Sequence, residues 1–185
     1  MRAAESEWVV LLNSDTILTR GWLEGLLEVA AEDPSVAFVG PVSNAATFQS
    51  VPELYGADGK FAVNALPPGW TPERMAALVA AESDRDFPET PLLNGFCTLM
   101  RRSAVLELGG FNTEAFPAGY GEENDLCTRA HKSGYKLKIA DHVYVYHSKS
   151  ASFGGERRNE LAKAGSRALK ALHPDVDYNA LTAAF

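Results

Sequence analysis

Five consecutive apolar residues, Trp8-Val9-Val10-Leu11-Leu12, stand almost at the start of the chain and stop at the polar triplet Asn13-Ser14-Asp15. A run this short, rich in β-branched residues and without alternation, predicts a strand buried on both faces, as in a largely parallel sheet. Such a strand needs a neighbour at each edge and helices above and below. The expected class is therefore α/β. The triplet then falls beyond the strand's carboxyl end, where ligands of open α/β sheets gather.

The rest of the chain fits that class. Thr19 is placed to cap a helix whose inward stripe is Trp22, Leu23, Leu26, Leu27 and Ala30. Val36 to Pro41 reads as a second buried strand. Residues 43–70 lack periodicity and read as a long loop on the working side of the sheet. Thr71 and Pro72 cap and start a short helix with Met75, Leu78 and Val79 inward. Phe96 to Arg102 reads as a strand, and Ser103 to Gly110 as a short helix stopped by glycine. A further helix runs to Gly134, followed by two short strands, YKLKIA and VYVYH. The amphipathic stretch from Glu156 to Leu172 directs Leu161, Ala164, Ala168, Leu169 and Leu172 to one side.

Charge narrows the partners. The 185 residues carry a net charge of −7, and no block of Lys and Arg tracks a phosphate backbone, so nucleic acid is excluded as an expected partner. No run approaches the ~18 apolar residues of a membrane span, and the N-terminus does not resemble a signal peptide. Cys97 and Cys127 read as buried free thiols in a reducing compartment. Cytoplasmic residence, at or near the inner face of the membrane, is the expectation.

The chemistry concentrates in three places. Asp15 is a hard oxygen donor suited to Mg²⁺ or Mn²⁺; equally, Asn and Asp make turns. His147 ends the VYVYH run, where an imidazole suits Mn²⁺ better than Mg²⁺ or serves as a hydrogen-bonded structural residue. The third place is Gly119-Tyr120-Gly121-Glu122-Glu123-Asn124-Asp125, where three acids crowd the start of a helix. Acids in a first turn complement the helix dipole, and Asp125 can pair with Arg129 four residues on. Those effects account for one or two carboxylates, not three behind a glycine-rich turn. Glu122 and Asp125 are expected on one helical face, with Glu123 elsewhere. One acid of such a cluster can act as a general base while its neighbours position it. Phe48, Tyr55, Trp70 and Tyr120 lie in or beside glycine-containing loops, where aromatic faces beside carboxylates suit sugars; each alone is more readily a core residue than a site residue.

Taken in order, WVVLLNSDTILTRGWLEGLL, VAFVGPVSN and LLNGFCTLMRRSAVLELGGFNTEAFPAGYGEENDLCTRAHKSGYKLKIADHVYVYH resemble the C-terminal portion of a family 2 glycosyltransferase of the GT-A fold, similar to bacterial rhamnosyltransferase-like enzymes of cell-surface polysaccharide assembly. The resemblance implies one partial GT-A domain over residues 1–185, with a mostly parallel sheet flanked by helices. The family's Asp-x-Asp motif falls on Asn13-Ser14-Asp15. Asp15 takes the role of metal ligand, His147 completes the metal shell, and Asn13 replaces the first acid near the ribose. The base motif falls on Glu122-Glu123-Asn124-Asp125, with Glu123 as base and Glu122 and Asp125 beside the substrate. Asn94 and Gly95 fall on the acceptor pocket wall, and Tyr120 is expected to bind substrate.

The implied cofactor is Mn²⁺ or Mg²⁺, and the implied partners are a nucleotide-sugar donor and a glycan acceptor. The implied reaction is inverting transfer to a hydroxyl. Only twelve residues precede Asn13, so the nucleotide-binding half is expected to be missing and the sheet edge to favour a homo-oligomer. The alternative is a non-catalytic remnant, a glycan-binding or oligomer-forming module on the same fold; a metal-dependent hydrolase using the same carboxylates is a third.

Overall fold

A computed structural model describes residues 3–149 and 155–183. Its main sheet contains β1 (Trp8–Leu12), β3 (Val36–Val42), β4 (Cys97–Arg101) and β5 (Lys136–Tyr144) in the order β1-β4-β3-β5. Both β1 and β3 run antiparallel to β4, whereas β5 is parallel to β3. Three strands therefore share one direction and β4 is inverted. The expected α/β class holds, but by pairing the sheet is mixed. The sequence alone does not distinguish these cases, because an antiparallel strand covered on both faces is as apolar as a parallel one.

The strands differ in burial. All seven residues of β3 are buried, as a central strand requires. β1 is not the doubly covered strand its composition suggested: it is half-buried, and Leu12 is 40% exposed. It sits at the end of the sheet, paired with β4 alone among the described residues. β5 is one continuous strand where two were expected, and only Tyr146–His147 separates as β6, pairing antiparallel with β2 (Thr16–Ile17).

Helices cover both faces. On one face α1 (Trp22–Ala30) buries Leu26, Val29 and Ala30 against Val36, Val39, Leu99 and Val143. On the other, α2 (Pro72–Glu82), α3 (Arg102–Glu107) and α4 (Glu122–Lys132) bring Met75, Val105, Leu126 and Ala130 against Phe38, Met100 and Ile139. The long α5 (Gly155–Leu172) packs on α4, and α6 (Tyr178–Ala183) ends the described chain.

Some end signals behave as expected. The Thr71 hydroxyl accepts from the Arg74 N–H, and Pro72 opens α2. Thr19 does not cap α1. Its buried hydroxyl donates to the Tyr144 carbonyl at 2.6 Å, and Gly21, at φ 76°, precedes the helix instead. Leu27 of α1, Leu78 of α2 and Leu172 of α5 face outward, as does Ala164. In α5 the inward positions include Gly165 and Leu169. Cys97 and Cys127 are buried free thiols, each pushed up to about 12 by burial.

Candidate active site

Beyond the end of β1 the chain turns on itself. The Asn13 N–H donates to the Phe96 carbonyl at 2.8 Å, extending the β1–β4 ladder by one step, and the Thr16 hydroxyl donates back to the Asn13 carbonyl. Thr16 then pairs with His147 across β2 and β6. Two segments more than a hundred residues apart in sequence thus set Asp15 beside His147, with Oδ1 3.3 Å from Nε2.

The imidazole is fixed from several sides. Its ring stacks on Phe96 at 5.2 Å, and Nδ1 lies 3.1 Å from the Ala45 carbonyl. A carbonyl can only accept, so Nδ1 donates to it, and Nε2 is left facing the Asp15 carboxylate. Such a facing imidazole and carboxylate can share a proton or together hold a cation. One carboxylate and one imidazole fit Mn²⁺ better than Mg²⁺. No third His, Cys, Asp or Glu joins them among the described residues. A metal held by this pair would therefore draw its remaining ligands from substrate oxygens and water.

The backbone behind His147 is clamped by Asn44. Its Oδ1 accepts from the His147 N–H at 2.8 Å and its Nδ2 donates to the His147 carbonyl at 3.1 Å. Gln49 does the same for the neighbouring loop. Its Nε2 donates to the Pro41 carbonyl and its Oε1 accepts from the Asn94 N–H, both at 2.7 Å. Sequence reasoning singled out neither residue. An amide in a long aperiodic loop carries no signal until its partners are known, although an Asn just past a buried strand is a place to look.

Phe96 also borders a cavity of about 330 Å³ lined by Asn13, Asn94, Gly95, Tyr120, Glu122 and Glu123. All but one of the residues placed on the substrate side by the sequence reading meet here. Gly95 faces Glu123: a Cβ built on it would touch the Glu123 side-chain carbons at 3.4–3.7 Å. The Gly95 backbone therefore runs alongside the Glu123 side chain. Burial, and then the like charge of Glu122, push the Glu123 carboxyl up to about 7. Glu122 Oε2 is buried without a hydrogen-bond partner among the described residues.

Asp125 goes elsewhere. It is 1% exposed, and its Oδ2 accepts from Arg129 Nη2 at 2.6 Å and Nε at 3.0 Å. Its Oδ1 lies 2.9 Å from His173 Nε2. Glu122 does not share its face. As the first helical residue it folds back, with Oε1 3.3 Å from where a Gly119 Cβ would stand. Regular helical spacing does not govern that first turn. Of the loop aromatics only Tyr120 lines the cavity; Phe48 and Trp70 pack against the core, and Tyr55 stacks on Phe61.

A larger cavity, about 750 Å³, lies between α1, α2 and β5. None of the candidate residues reaches it. Arg85 on its wall is paired with Glu28, and both ring nitrogens of His142 are buried out of a ligand's reach. Size alone does not make it the site.

The mixed sheet thus carries the Asp15–His147 pair beyond the end of β1, with an acid-lined cavity beside it. The chain belongs to the family described as "Glycosyltransferase like family 2", whose model matches residues 1–166. It is 32% identical over 165 residues to the N-acetylglucosaminyl-diphospho-decaprenol L-rhamnosyltransferase of Mycobacterium tuberculosis, covering 84% of this chain and 52% of that protein. It is 27% identical over 176 residues to the pre-mycofactocin glycosyltransferase of the same species, covering 95% and 34%. The chain thus spans about half the length of the first relative and a third of the second. The fold matches that of a mannosyltransferase from Pyrobaculum calidifontis solved with GDP-Man and Mn²⁺, with a TM-score of 0.58 and 20% identity over 95% of this chain and 42% of that one. It also matches GalNAc-T7 solved with UDP, GalNAc and Mn²⁺, with a TM-score of 0.58 and 15% identity over 91% and 32%. No helix among the described residues is long and apolar enough to cross a membrane.

Proposed function

We propose that this chain carries the metal and acceptor side of an inverting glycosyltransferase that moves a sugar from a nucleoside diphosphate to a saccharide hydroxyl in cell-surface polysaccharide assembly. The observation that carries the reading is the convergence of Asn13, Asn94, Gly95, Tyr120, Glu122 and Glu123 on one cavity, with Asn13 two residues from the Asp15–His147 pair. Both structural neighbours were solved with Mn²⁺ and a nucleotide, and the rhamnosyltransferase relative names a saccharide diphosphate acceptor.

In this mechanism Asp15 and His147 would hold a divalent cation, which would supply stabilisation of negative charge on the leaving diphosphate. Glu123 accepts the proton of the acceptor hydroxyl as its oxygen bonds to the anomeric carbon. The bond from that carbon to the diphosphate oxygen breaks, and its electron pair leaves with the diphosphate. One displacement inverts the anomeric configuration, and the proton rests on Glu123 until solvent takes it. Its raised affinity for protons suits the task, since a base works best with a pKa near the operating pH. Asn94 is held by Gln49 and Thr47 at the wall, and Glu122 offers a second acceptor for sugar hydroxyls.

The test is calorimetric titration of UDP, GDP and dTDP with and without Mn²⁺. Metal-dependent binding of one nucleotide, lost in Asp15→Asn and in His147→Ala, supports the donor reading. Silence with every nucleotide, alongside binding of oligosaccharides, replaces it with a glycan-binding module.

A further inference from the structure

We infer that α5 is the brace that sets the Glu122–Glu123 pair, and that Gly165 and His173 are positioning residues for the transfer reaction. The inference rests on the proposed role of Glu123 but stands on packing of its own. Gly165 and Leu169 of α5 and His173, the residue just past its end, whose N–H donates to the Leu169 carbonyl, follow at spacings of four and form one stripe. Each meets the turn that carries the acids.

A Cβ built on Gly165 would lie 1.6 Å from the Tyr120 carbonyl oxygen and 2.8 Å from its carbon. Those are backbone atoms and cannot rotate aside. Glycine weakens a helix interior, and this close approach explains its presence there. One turn on, Leu169 is buried, and its Cδ1 would stand 3.2 Å from a Cβ on Gly121. One turn further, His173 Nε2 lies 2.9 Å from Asp125 Oδ1. Contacts at residues 120, 121 and 125 thus bracket Glu122 and Glu123 from both sides.

The bracketed turn needs holding. Gly119, Tyr120 and Gly121 have φ of 80°, 66° and 131°. A bulky residue such as Tyr rarely sits at positive φ, and persists there when its surroundings over-determine it. Tyr120 lines the cavity while its carbonyl lies against α5. A shift of α5 therefore reaches the cavity wall through a single residue. The amphipathic pattern hides this, because the stripe begins with a residue that has no side chain.

The variants are Gly165→Ala and His173→Gln, with Lys170→Ala on the exposed face of α5 as control. The first readout is the titration of the Glu123 carboxyl by carbon-13 NMR, assigned with Glu123→Gln, beside a urea unfolding curve. The second is kcat and donor KM with a panel of sugar nucleotides. Making room for a Cβ moves the turn by more than an ångström, admits water to Glu123 and lowers its titration midpoint by about one pH unit. A displacement of that size lowers kcat on the order of a hundredfold and leaves donor KM unchanged, since Asp15 and His147 lie outside the braced turn. His173→Gln moves both in the same direction by less, and Lys170→Ala moves neither. A folded Gly165→Ala with the parent's midpoint and kcat overturns the inference. If Gly165→Ala does not fold, an unchanged midpoint in His173→Gln overturns it. Should Glu123→Gln retain full transfer, the base assignment fails while the titration still decides whether α5 sets the pair.

Discussion

Glu123 and Asp125 lie two residues apart on one helix, both carboxylates and both largely withdrawn from water, yet their surroundings are opposite. Asp125 is met by the Arg129 guanidinium on one oxygen and by His173 on the other. Arg129 is itself held by the carbonyls of Leu108 and Gly110, so Asp125 ties α4 to the loop after α3 and to the end of α5. Glu123 is met by another acid and by a cavity. A buried charge with partners is a structural tie. One beside a like charge and open space stores proton affinity and contributes little to the fold. The crowding of acids in this short stretch is thus two features: a tie and a reactive pair.

Exchanging the charges of the two residues in turn separates these roles. Glu123→Gln is expected to lower transfer by about 10²–10⁴-fold, the usual worth of a general base, while nucleotide and metal binding persist. The same variant removes a like-charge contact with Glu122, so its urea midpoint should equal or exceed the parent's. Steady-state rates and unfolding curves on one preparation check both. A variant that loses stability in step with activity would make Glu123 a second tie.

Asp125→Ala should behave in the opposite sense. It leaves Arg129 facing carbonyls only and removes the partner of His173 Nε2, and breaking a buried pair costs about 3–5 kcal/mol. Chemical denaturation measures that loss directly. Residual folded protein should keep the metal-dependent nucleotide affinity, because Asp15 lies in the turn before β2 and His147 on β6, not on α4.

pH sharpens the contrast further. The Glu123 carboxyl, raised from 4.5 to about 7, binds more protons folded than unfolded between those values. Stability is therefore greatest below about 4.5 on this account and declines as pH rises towards 7. The total is about 3 kcal/mol at ~1.4 kcal/mol per unit. Transfer runs the other way: the base must be ionised, so kcat falls about tenfold per pH unit below 7. Opposed slopes of stability and rate between pH 5 and 7, both flattened in Glu123→Gln, are the expected signature. Parallel slopes would place the titrating group elsewhere.

How much of this could be seen in the sequence follows the same division. β3 was legible because its neighbours on all sides are apolar and local composition suffices. The caps of α2 were legible because Thr71 and Pro72 act on their own backbone. The convergence of Asn13, Asn94 and Glu123 was reachable only through the family resemblance, since no spacing rule links them. Thr19, Asn44 and Gln49 were not legible: each side chain has several local uses, and only the fold reveals that its partner lies on a distant strand or loop. β1 was misread for a related reason. Five apolar residues declare that a strand can be covered on both faces, not that it is.

The smallest expected effect lies where the two carboxylates differ in free space. Gly95→Ala adds one methyl group facing Glu123, at ordinary contact distances and without positive φ. Stability should stay within about 0.5 kcal/mol of the parent, as for substitutions away from strained or overpacked positions. The methyl narrows the cavity on the acceptor side and shields Glu123 further from water. Acceptor KM should rise a few-fold and the lower limb of the pH–rate profile should move to slightly higher pH, with donor affinity unchanged. The same methyl would be irrelevant to Asp125, whose oxygens are already occupied. Gly95→Ala therefore asks whether Glu123 works against an open cavity. An acceptor KM and pH profile identical to the parent's would mean that substrate approaches Glu123 from another side.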